Sequence, residues 1–347
     1  MPLKAIQEQP HACEFIRRAL LSDRLHHAYL FTGPGGVGKT LSAKALAQAL
    51  LCTQPTETAD ACDQCNACVR VASLQHADLH VIERNQKKDG GRERNIKIAQ
   101  VRELQRSLTF KAFEGDRRVV LLLDAECMTP PTANALLKTL EEPGKGTYFI
   151  LVSDAPHRLL PTIISRCQRV RFSPLSPDFI ADRLVSTTDL SSEDATCLSR
   201  LAEGSLGRAM DLIEDEVLDA RSELLERLGG AGTEAPNLSD TMSFASDLAR
   251  PDRRDFLPTV FHLLRSWHRD ILALQGGMEP SELVNSEYKE QLSKRASTLS
   301  QSEVFDRLER LNQAETAIFE RMGNVRLVLE ALFVRITDQL AQSGGHR

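Results

Sequence analysis

One stretch of this 347-residue chain has the residue types and spacing that bind phosphate groups. It reads Gly33-Pro34-Gly35-Gly36-Val37-Gly38-Lys39-Thr40 and follows the pattern G-x-x-x-x-G-K-[ST]. In such loops the glycines let backbone N–H groups converge on the β-phosphate, and the N-terminus of the next helix adds partial positive charge. Lys39 would bridge the β- and γ-phosphates, and the Thr40 hydroxyl would bind Mg²⁺. A turn that only connects a strand to a helix would not need the Lys-Thr pair. The residues predicted to hold ATP with Mg²⁺ are Gly33, Gly35, Gly36, Gly38, Lys39 and Thr40.

Hydrolysis requires two further carboxylates, one near Mg²⁺ and one that orients the attacking water. An apolar run at 119–123 ends in Asp124, which we expect at the magnesium position. Ala125 follows, where ATPases of this type carry glutamate. If the strand continues, Glu126 lies on the opposite face of the sheet and hydrolysis is weak or absent, since a general base contributes about 10²- to 10⁴-fold. The alternative is that the strand ends at Asp124 and Glu126 turns inward from the loop.

Four of the eight cysteines have the compact spacing C-x9-C-x2-C-x2-C. Four thiolates favour tetrahedral zinc, and a site without an open position is structural. The alternatives are an iron–sulfur cluster or reduced thiols without a metal, but nothing else in the sequence indicates redox chemistry. The predicted zinc ligands are Cys52, Cys62, Cys65 and Cys68. The cysteines expected to be small buried side chains are Cys13, Cys127, Cys167 and Cys197.

Short apolar segments alternate with longer amphipathic ones from about residue 11 to residue 172. Because the central apolar segments are continuous, they predict a parallel sheet covered by helices on both faces, the α/β class. The predicted strands span 29–32, 79–83, 119–124, 148–153 and 169–172. The predicted helices between them span 39–51, 98–108 and 131–141. Thr129 is the expected N-cap of the last helix.

The predicted architecture has three domains. Residues 1–175 form a nucleotide-binding core with a zinc-binding insert at 52–68. The strand signal then ends, and helical periodicity predicts a small helical domain at 176–230. Its helices are expected at 178–185, 192–202, 207–213 and 220–228. A glycine-rich linker at 229–236 precedes an all-helical domain at 240–347.

Composition excludes some modes of action. With a net charge of -5 and 5% aromatic residues, neither a global positive field nor stacked aromatic side chains would bring the chain to nucleic acid. The loop 84–97 is rich in Lys and Arg, and a nucleic-acid contact there is an alternative to a flexible solvated loop. We favour the solvated loop because acidic residues and glycines lie among the cations. The N-terminus lacks the apolar segment of a signal peptide, and no run is long enough to span a membrane, which predicts a cytoplasmic protein.

Several motifs, taken in chain order, resemble one family. After the phosphate loop and the cysteine insert come IAQVREL at 98–104, ANALLKTLEEP at 133–143 and Ser165-Arg166-Cys167. Together they closely resemble the bacterial clamp-loader subunits of the AAA+ superfamily, and most of all the delta-prime type of DNA polymerase III. The resemblance is strong over residues 5–215 and weaker over the helical tail.

The resemblance implies a fold, partners and further site residues. The AAA+ core would be followed by a helical lid domain and an all-helical collar domain, through which subunits assemble. The complex would be a heteropentamer with gamma/tau and delta subunits, which places a sliding clamp on primer–template DNA. Arg166 would be an arginine finger, donated in trans to ATP on the neighbouring motor subunit. Ser153 would lie at the sensor position after the fourth strand.

Two departures from the motor subunits of this family favour the stator-like delta-prime role. Motor subunits carry Asp-Glu at the strand end, where this chain has Asp124-Ala125. They carry a lid arginine directly after Gly-Ser-Leu, where this chain has Gly207, and on a helix the next residue, Arg208, is rotated by about 100°. The intact phosphate loop leaves nucleotide binding open. A gamma/tau-type motor ATPase or a related AAA+ DNA remodeller is the alternative.

Overall fold

The computed structural model describes residues 2–22, 24–86, 92–214, 217–229 and 237–337. They divide into two compact units, one within residues 1–179 and 204–207, the other within 180–203 and 208–347. The division into three domains stays a prediction. Residues 230–236 of the predicted linker lie outside the described residues.

The described part of the first unit forms a sheet of five parallel strands in the order β2-β3-β4-β1-β5. The strands are β1 Ala28–Thr32, β2 Leu79–Ile82, β3 Arg118–Leu122, β4 Thr147–Ser153 and β5 Gln168–Arg171. Each predicted strand is present, and its ends lie within two residues of the predicted ends. All residues of β1 and β3 are buried, as expected for strands covered on both faces. The predicted α/β fold class, with a parallel sheet covered by helices, is confirmed.

Among the described residues of this unit, six α-helices accompany the sheet. They are α1 Pro10–Leu21, α2 Lys39–Leu51, α3 Asn66–Ala72, α4 Ile98–Leu108, α5 Pro130–Glu141 and α6 Pro161–Ile164. Helices α2 and α4 have the predicted bounds, and α5 begins one residue before its predicted start. Thr129 is the N-cap of α5, as predicted, because its side chain accepts a hydrogen bond from the N–H of Thr132. Side chains of α4 and α5 pack on the sheet around Leu122 and Phe149.

The end of β3 differs from the prediction. The strand ends at Leu122, and Asp124 has a left-handed backbone with φ of 53°. A 3-10 turn, Ala125–Cys127, follows directly. The strand therefore does not carry the alternation of side chains past Asp124, and the expectation that Glu126 lies on the opposite sheet face was wrong. Glu126 leaves from a turn, as the alternative interpretation required.

The rest of the described chain is helical. Its helices are α7 Pro177–Thr187, α8 Ser192–Leu201, α9 Leu206–Glu214, α10 Val217–Leu224, α11 Leu238–Leu248, α12 Leu257–Gln275, α13 Lys289–Thr298, α14 Gln301–Phe319 and α15 Val325–Ile336. In the second unit, Trp267 of α12 is fully buried and packs edge-on against Tyr288 at 5.8 Å between ring centroids. Within the part of the chain that is described, every helix is too short or too polar to cross a lipid bilayer.

Candidate nucleotide and metal sites

The phosphate loop connects the end of β1 at Thr32 to the start of α2 at Lys39. Gly36 has a left-handed backbone, with φ of 68°. A Cβ atom on Gly36 would also lie 2.7 Å from the backbone nitrogen of Gly207. Glycine at position 36 therefore permits the turn and also lets the chain at 204–207 approach the loop closely.

The side chain of Lys39 is turned into its own loop and is only 3% exposed. Its Nζ donates hydrogen bonds to the carbonyl oxygen of Gly33 at 2.9 Å and to that of Pro34. It also lies 2.7 Å from Oδ1 of Asp154. The ammonium group is thus satisfied by two loop carbonyls and one carboxylate of the same chain.

Asp154 was not among the predicted site residues, although the sequence carried a signal for it. Strand β4 lies beside β1 in parallel, and Ser153 pairs with Thr32 at the ends of the two strands. Residues that follow parallel strands meet at one edge of a sheet, so an acid directly after β4 faces the loop after β1. Ser153 itself is buried, and its hydroxyl has no hydrogen-bond partner among the described residues.

The carboxylate of Asp124, predicted to bind Mg²⁺, is held by arginines. Its Oδ2 accepts a hydrogen bond from Nε of Arg84 at 2.8 Å, and Nη1 of Arg92 lies 3.6 Å away. The hydrogen bond to Asp124 raises the pKa of Arg84 above its usual value. Both arginines belong to the basic loop 84–97, of which residues 87–91 lie outside the described residues. These two cations therefore neutralise an acid of the chain itself.

Glu126 reaches the residue after β4. Its Oε1 accepts a hydrogen bond from the backbone N–H of Asp154 at 3.2 Å. Its Oε2 is buried and has no hydrogen-bond partner in the part of the chain that the structure describes. Ala125, at the position of the motor subunits' glutamate, is fully buried. A second carboxylate is thus present near the phosphate loop, but it belongs to the residue after the position where a glutamate was expected.

Arg166 lies at the amino-terminal end of the parallel strands, and the phosphate loop lies at their carboxyl-terminal end. Arg166 precedes β5, and Gln168 at the start of β5 pairs with Tyr29, the second residue of β1. The phosphate loop follows the end of β1, so the strand length separates the two, roughly 15 Å at about 3.3 Å per residue. An arginine side chain is too short to cover this distance. Arg166 therefore cannot contact a phosphate that is bound in its own loop.

The guanidinium of Arg166 is bound by groups from two helices, α5 and α6. Nη2 lies 2.5 Å from Oε1 of Glu141, at the end of α5, and Nη1 donates to the carbonyl oxygen of Thr162 at 2.9 Å. About a third of the side chain remains exposed. The group is held at the surface and keeps other N–H donors.

Gly207 stands where the resemblance to motor subunits would place a lid arginine. A Cβ atom on Gly207 would lie 3.1 Å from Cα of Gly36, which leaves little space for a side chain there. Arg208 belongs to the second unit, where its Nη1 lies 3.7 Å from a carboxylate oxygen of Glu203. At position 207, therefore, it is the backbone and not a side chain that lies close to the phosphate loop.

The four predicted zinc ligands meet between α2 and α3, with sulfur atoms within 4.8 Å of one another. The sulfur of Cys52 lies 3.6 Å from that of Cys62 and 3.9 Å from that of Cys65. The sulfur atoms of Cys62 and Cys68 are 3.9 Å apart. Tetrahedral zinc with bonds of about 2.3 Å requires sulfur separations of about 3.8 Å, so the group could hold this metal.

Two of the four thiols, those of Cys62 and Cys65, have a lowered pKa. Backbone N–H groups lower the pKa of Cys62. At Cys65 burial raises the pKa, but hydrogen bonds from neighbouring groups outweigh it and lower the pKa to about 5. Burial raises the pKa of Cys52 and Cys68. Outside the cluster, burial raises the pKa of Cys167 to about 12, as expected for a neutral thiol.

Comparison with known proteins gives matches along the whole chain. The family model described as DNA polymerase III, delta subunit matches residues 8–176. The DNA polymerase III subunit delta' of Bacillus subtilis is 30% identical over 95% of this chain and 96% of that protein. The subunit delta' of Pseudomonas aeruginosa is 34% identical over 89% of this chain and 91% of that protein. The tau subunit of B. subtilis is 31% identical over 60% of this chain and 36% of its own length. The similarity to these two delta' subunits thus covers more of this chain and more of the relative than the similarity to tau does.

Proposed function

This chain belongs to the family of DNA polymerase III delta' subunits, and from that premise we propose that it is the stator-like subunit of a clamp loader. In this role it joins gamma/tau motor subunits and a delta subunit in a heteropentamer, in the cytoplasm. The complex places a sliding clamp on primer–template DNA. The chain contributes a platform and an arginine, and the motor subunits hydrolyse the ATP.

One observation carries the proposal of an arginine finger in trans. Arg166 and the phosphate loop lie at opposite ends of the paired strands β1 and β5, so a phosphate that Arg166 contacts would not be one bound in the chain's own loop, which supports a role in trans. A guanidinium meets the charge that spreads over a γ-phosphate with parallel donors. Such fingers increase the hydrolysis rate by about 10³- to 10⁵-fold. Arg166 is partly exposed and is therefore available to a neighbour.

The chain's own phosphate loop is proposed to hold ATP with Mg²⁺ but to hydrolyse it weakly or not at all. The loop has the required glycines, Lys39 and Thr40. Against turnover, Ala125 replaces the expected glutamate, and Asp124 is paired with Arg84. Ser153, at the end of the strand beside β1, would face the γ-phosphate region. These features support a site that binds ATP but hydrolyses it slowly or not at all.

The four cysteines are proposed to bind one structural zinc ion. Three of the sulfur separations, of 3.6 to 3.9 Å, are close to the value of about 3.8 Å for tetrahedral zinc, and all four positions would be filled by protein ligands. A closed site of this kind supplies folding free energy to the insert at 52–68 and leaves no position for a substrate. The metal would thus fix the chain between α2 and α3.

A motor ATPase is the second candidate, favoured by one observation. The carboxylate of Glu126 reaches the N–H of Asp154 beside the phosphate loop, so an acid is available near the nucleotide. If Glu126 orients water there, the chain would hydrolyse its own ATP. The similarity to tau over the core is compatible with this function.

Reconstitution tests the proposed place in the complex. The full chain is mixed with purified gamma/tau and delta subunits, and the mass of the product is measured together with clamp loading on primed DNA. We expect one copy of this chain in a pentamer that loads the clamp, and loss of loading when the chain is omitted. A chain that stays outside the complex, or a loader that works equally well without it, would contradict the proposal.

A further inference from the structure

We infer that Asp154 is an internal anion that competes with nucleotide phosphate for Lys39 and so sets the nucleotide affinity of this chain. This inference rests on the proposed nucleotide site in the loop 33–40. It names a residue outside the phosphate-binding pattern as the determinant of binding.

The first observation is that the donors of Lys39 are all occupied. An ammonium group has three N–H donors, and Nζ contacts the carbonyl oxygens of Gly33 and Pro34 and Oδ1 of Asp154. A phosphate oxygen that binds Nζ must displace one of these partners. Asp154 is the only charged group among these three partners, so its carboxylate is the one that resembles phosphate in charge.

The second observation is that the carboxylate lies directly on the loop. A Cβ atom on Gly35 would lie 2.9 Å from Oδ2 of Asp154. Because Gly35 has no side chain, the Asp154 carboxylate can lie beside its Cα atom. Loops of this type bind anions, and here the chain places its own carboxylate beside the loop, in contact with Lys39.

The third observation concerns how Asp154 is fixed. Its backbone N–H donates to Oε1 of Glu126, and it follows the last residue of β4, which pairs in register with β1. The backbone is thus held from two sides while the side chain is 53% exposed. Because water screens the exposed carboxylate, the ion pair can be displaced by a nucleotide, but at a cost.

Charge repulsion adds to this competition. A triphosphate in the loop would bring several negative charges next to the Asp154 carboxylate, and like charges at short range in a partly buried site disfavour each other. Removing the charge of Asp154 should therefore favour the bound state twice, by freeing Lys39 and by removing the repulsion.

The test measures equilibrium binding of Mg·ATP to the purified full chain by calorimetry. We expect Asp154→Asn, which keeps the shape of the side chain, to tighten binding by about tenfold, the change expected when a charge-assisted hydrogen bond need not be broken. Asp154→Ala should act in the same direction. Asp116→Asn removes another exposed acid of the first unit and should leave the affinity unchanged. In a Lys39→Ala background, Asp154→Asn should give a much smaller gain.

The outcomes separate the inference from the site on which it rests. Equal affinity of the wild-type chain and Asp154→Asn would overturn the inference and leave the nucleotide site standing. Weaker binding by Asp154→Asn would also overturn it, since the carboxylate would then help to hold Mg²⁺. If neither chain binds ATP at millimolar concentration, both the inference and the nucleotide site fail.

Discussion

The guanidinium of Arg166 and the carboxylate of Glu141 form an ion pair at the surface, 2.5 Å apart. Both side chains are substantially exposed, 34% for Arg166 and 48% for Glu141. An exposed pair of this kind contributes about 1 kcal/mol or less to folding. We therefore expect Arg166→Ala and Glu141→Gln each to change the free energy of unfolding by no more than about 1 kcal/mol in urea titrations. A loss of several kcal/mol in either variant would mean that Arg166 has a structural role.

Metal analysis of the purified chain should find about one zinc per chain, since four thiolates close one tetrahedral site. Cys65→Ser should lose most of this zinc and make the insert at 52–68 sensitive to protease, because metal binding can supply about 10 kcal/mol to such a segment. Cys197→Ser, outside the cluster, is the matched control and should keep the metal. Zinc that stays bound in Cys65→Ser but is lost from Cys197→Ser would refute the assignment of the ligands.

We expect the free energy of unfolding to fall in acid because of His262 in α12. It is almost fully buried, and its Nε2 lies 2.6 Å from the carbonyl oxygen of Leu201. Burial, followed by the charge of Arg208, lowers the pKa of His262 to about 4. Its unfolded pKa is about 6.5, so above that pH the imidazole is neutral in both states. As the pH falls from about 6.5 to about 4, the unfolded chain binds a proton that the folded chain does not, and stability is lost.

This loss amounts to about 3 kcal/mol over the whole window, since each pKa unit corresponds to about 1.4 kcal/mol. Urea unfolding of the full chain at several values of pH measures it. In His262→Gln, which retains a hydrogen-bond donor, stability should fall less steeply between pH 6.5 and pH 4.5 than in the wild-type chain. Identical slopes for the two chains would show that His262 is not responsible.

Hydrolysis by the isolated chain should be close to background. Without a correctly placed base, the rate should lie about 10²- to 10⁴-fold below that of a motor subunit. Single-turnover measurements with excess chain over radiolabelled ATP test this, and Glu126→Gln should behave like the wild-type chain. Robust Mg²⁺-dependent hydrolysis that disappears in Glu126→Gln would favour the motor ATPase instead.

The sequence predicted the features that depend on local pattern. Apolar continuity located every strand, and the glycine spacing located the phosphate loop between β1 and α2. The spacing of the four cysteines predicted a cluster that the fold brings together. In each case the residues that make the feature are near one another in the chain.

Features that depend on tertiary pairing were missed. The partner of Lys39 is Asp154, and the partner of Asp124 is Arg84, 40 positions away in the chain. No local pattern joins these residues, because the parallel strands bring their ends together only after folding. The early end of β3 was missed because Leu123 continues the apolar run, while the left-handed backbone at Asp124 prevents the strand from continuing.

The most direct test of the arginine finger compares variants in the assembled loader. Chains carrying Arg166→Ala, Lys39→Ala or Arg183→Ala, an exposed arginine of the second unit, are built into the complex with wild-type partners. ATP hydrolysed per loader is then measured in a single turnover with clamp and primed DNA. We predict that Arg166→Ala removes hydrolysis at one interface, while Lys39→Ala and Arg183→Ala hydrolyse nearly as much ATP as the wild-type loader. Normal hydrolysis with Arg166→Ala together with a loss in Lys39→Ala would contradict the role in trans.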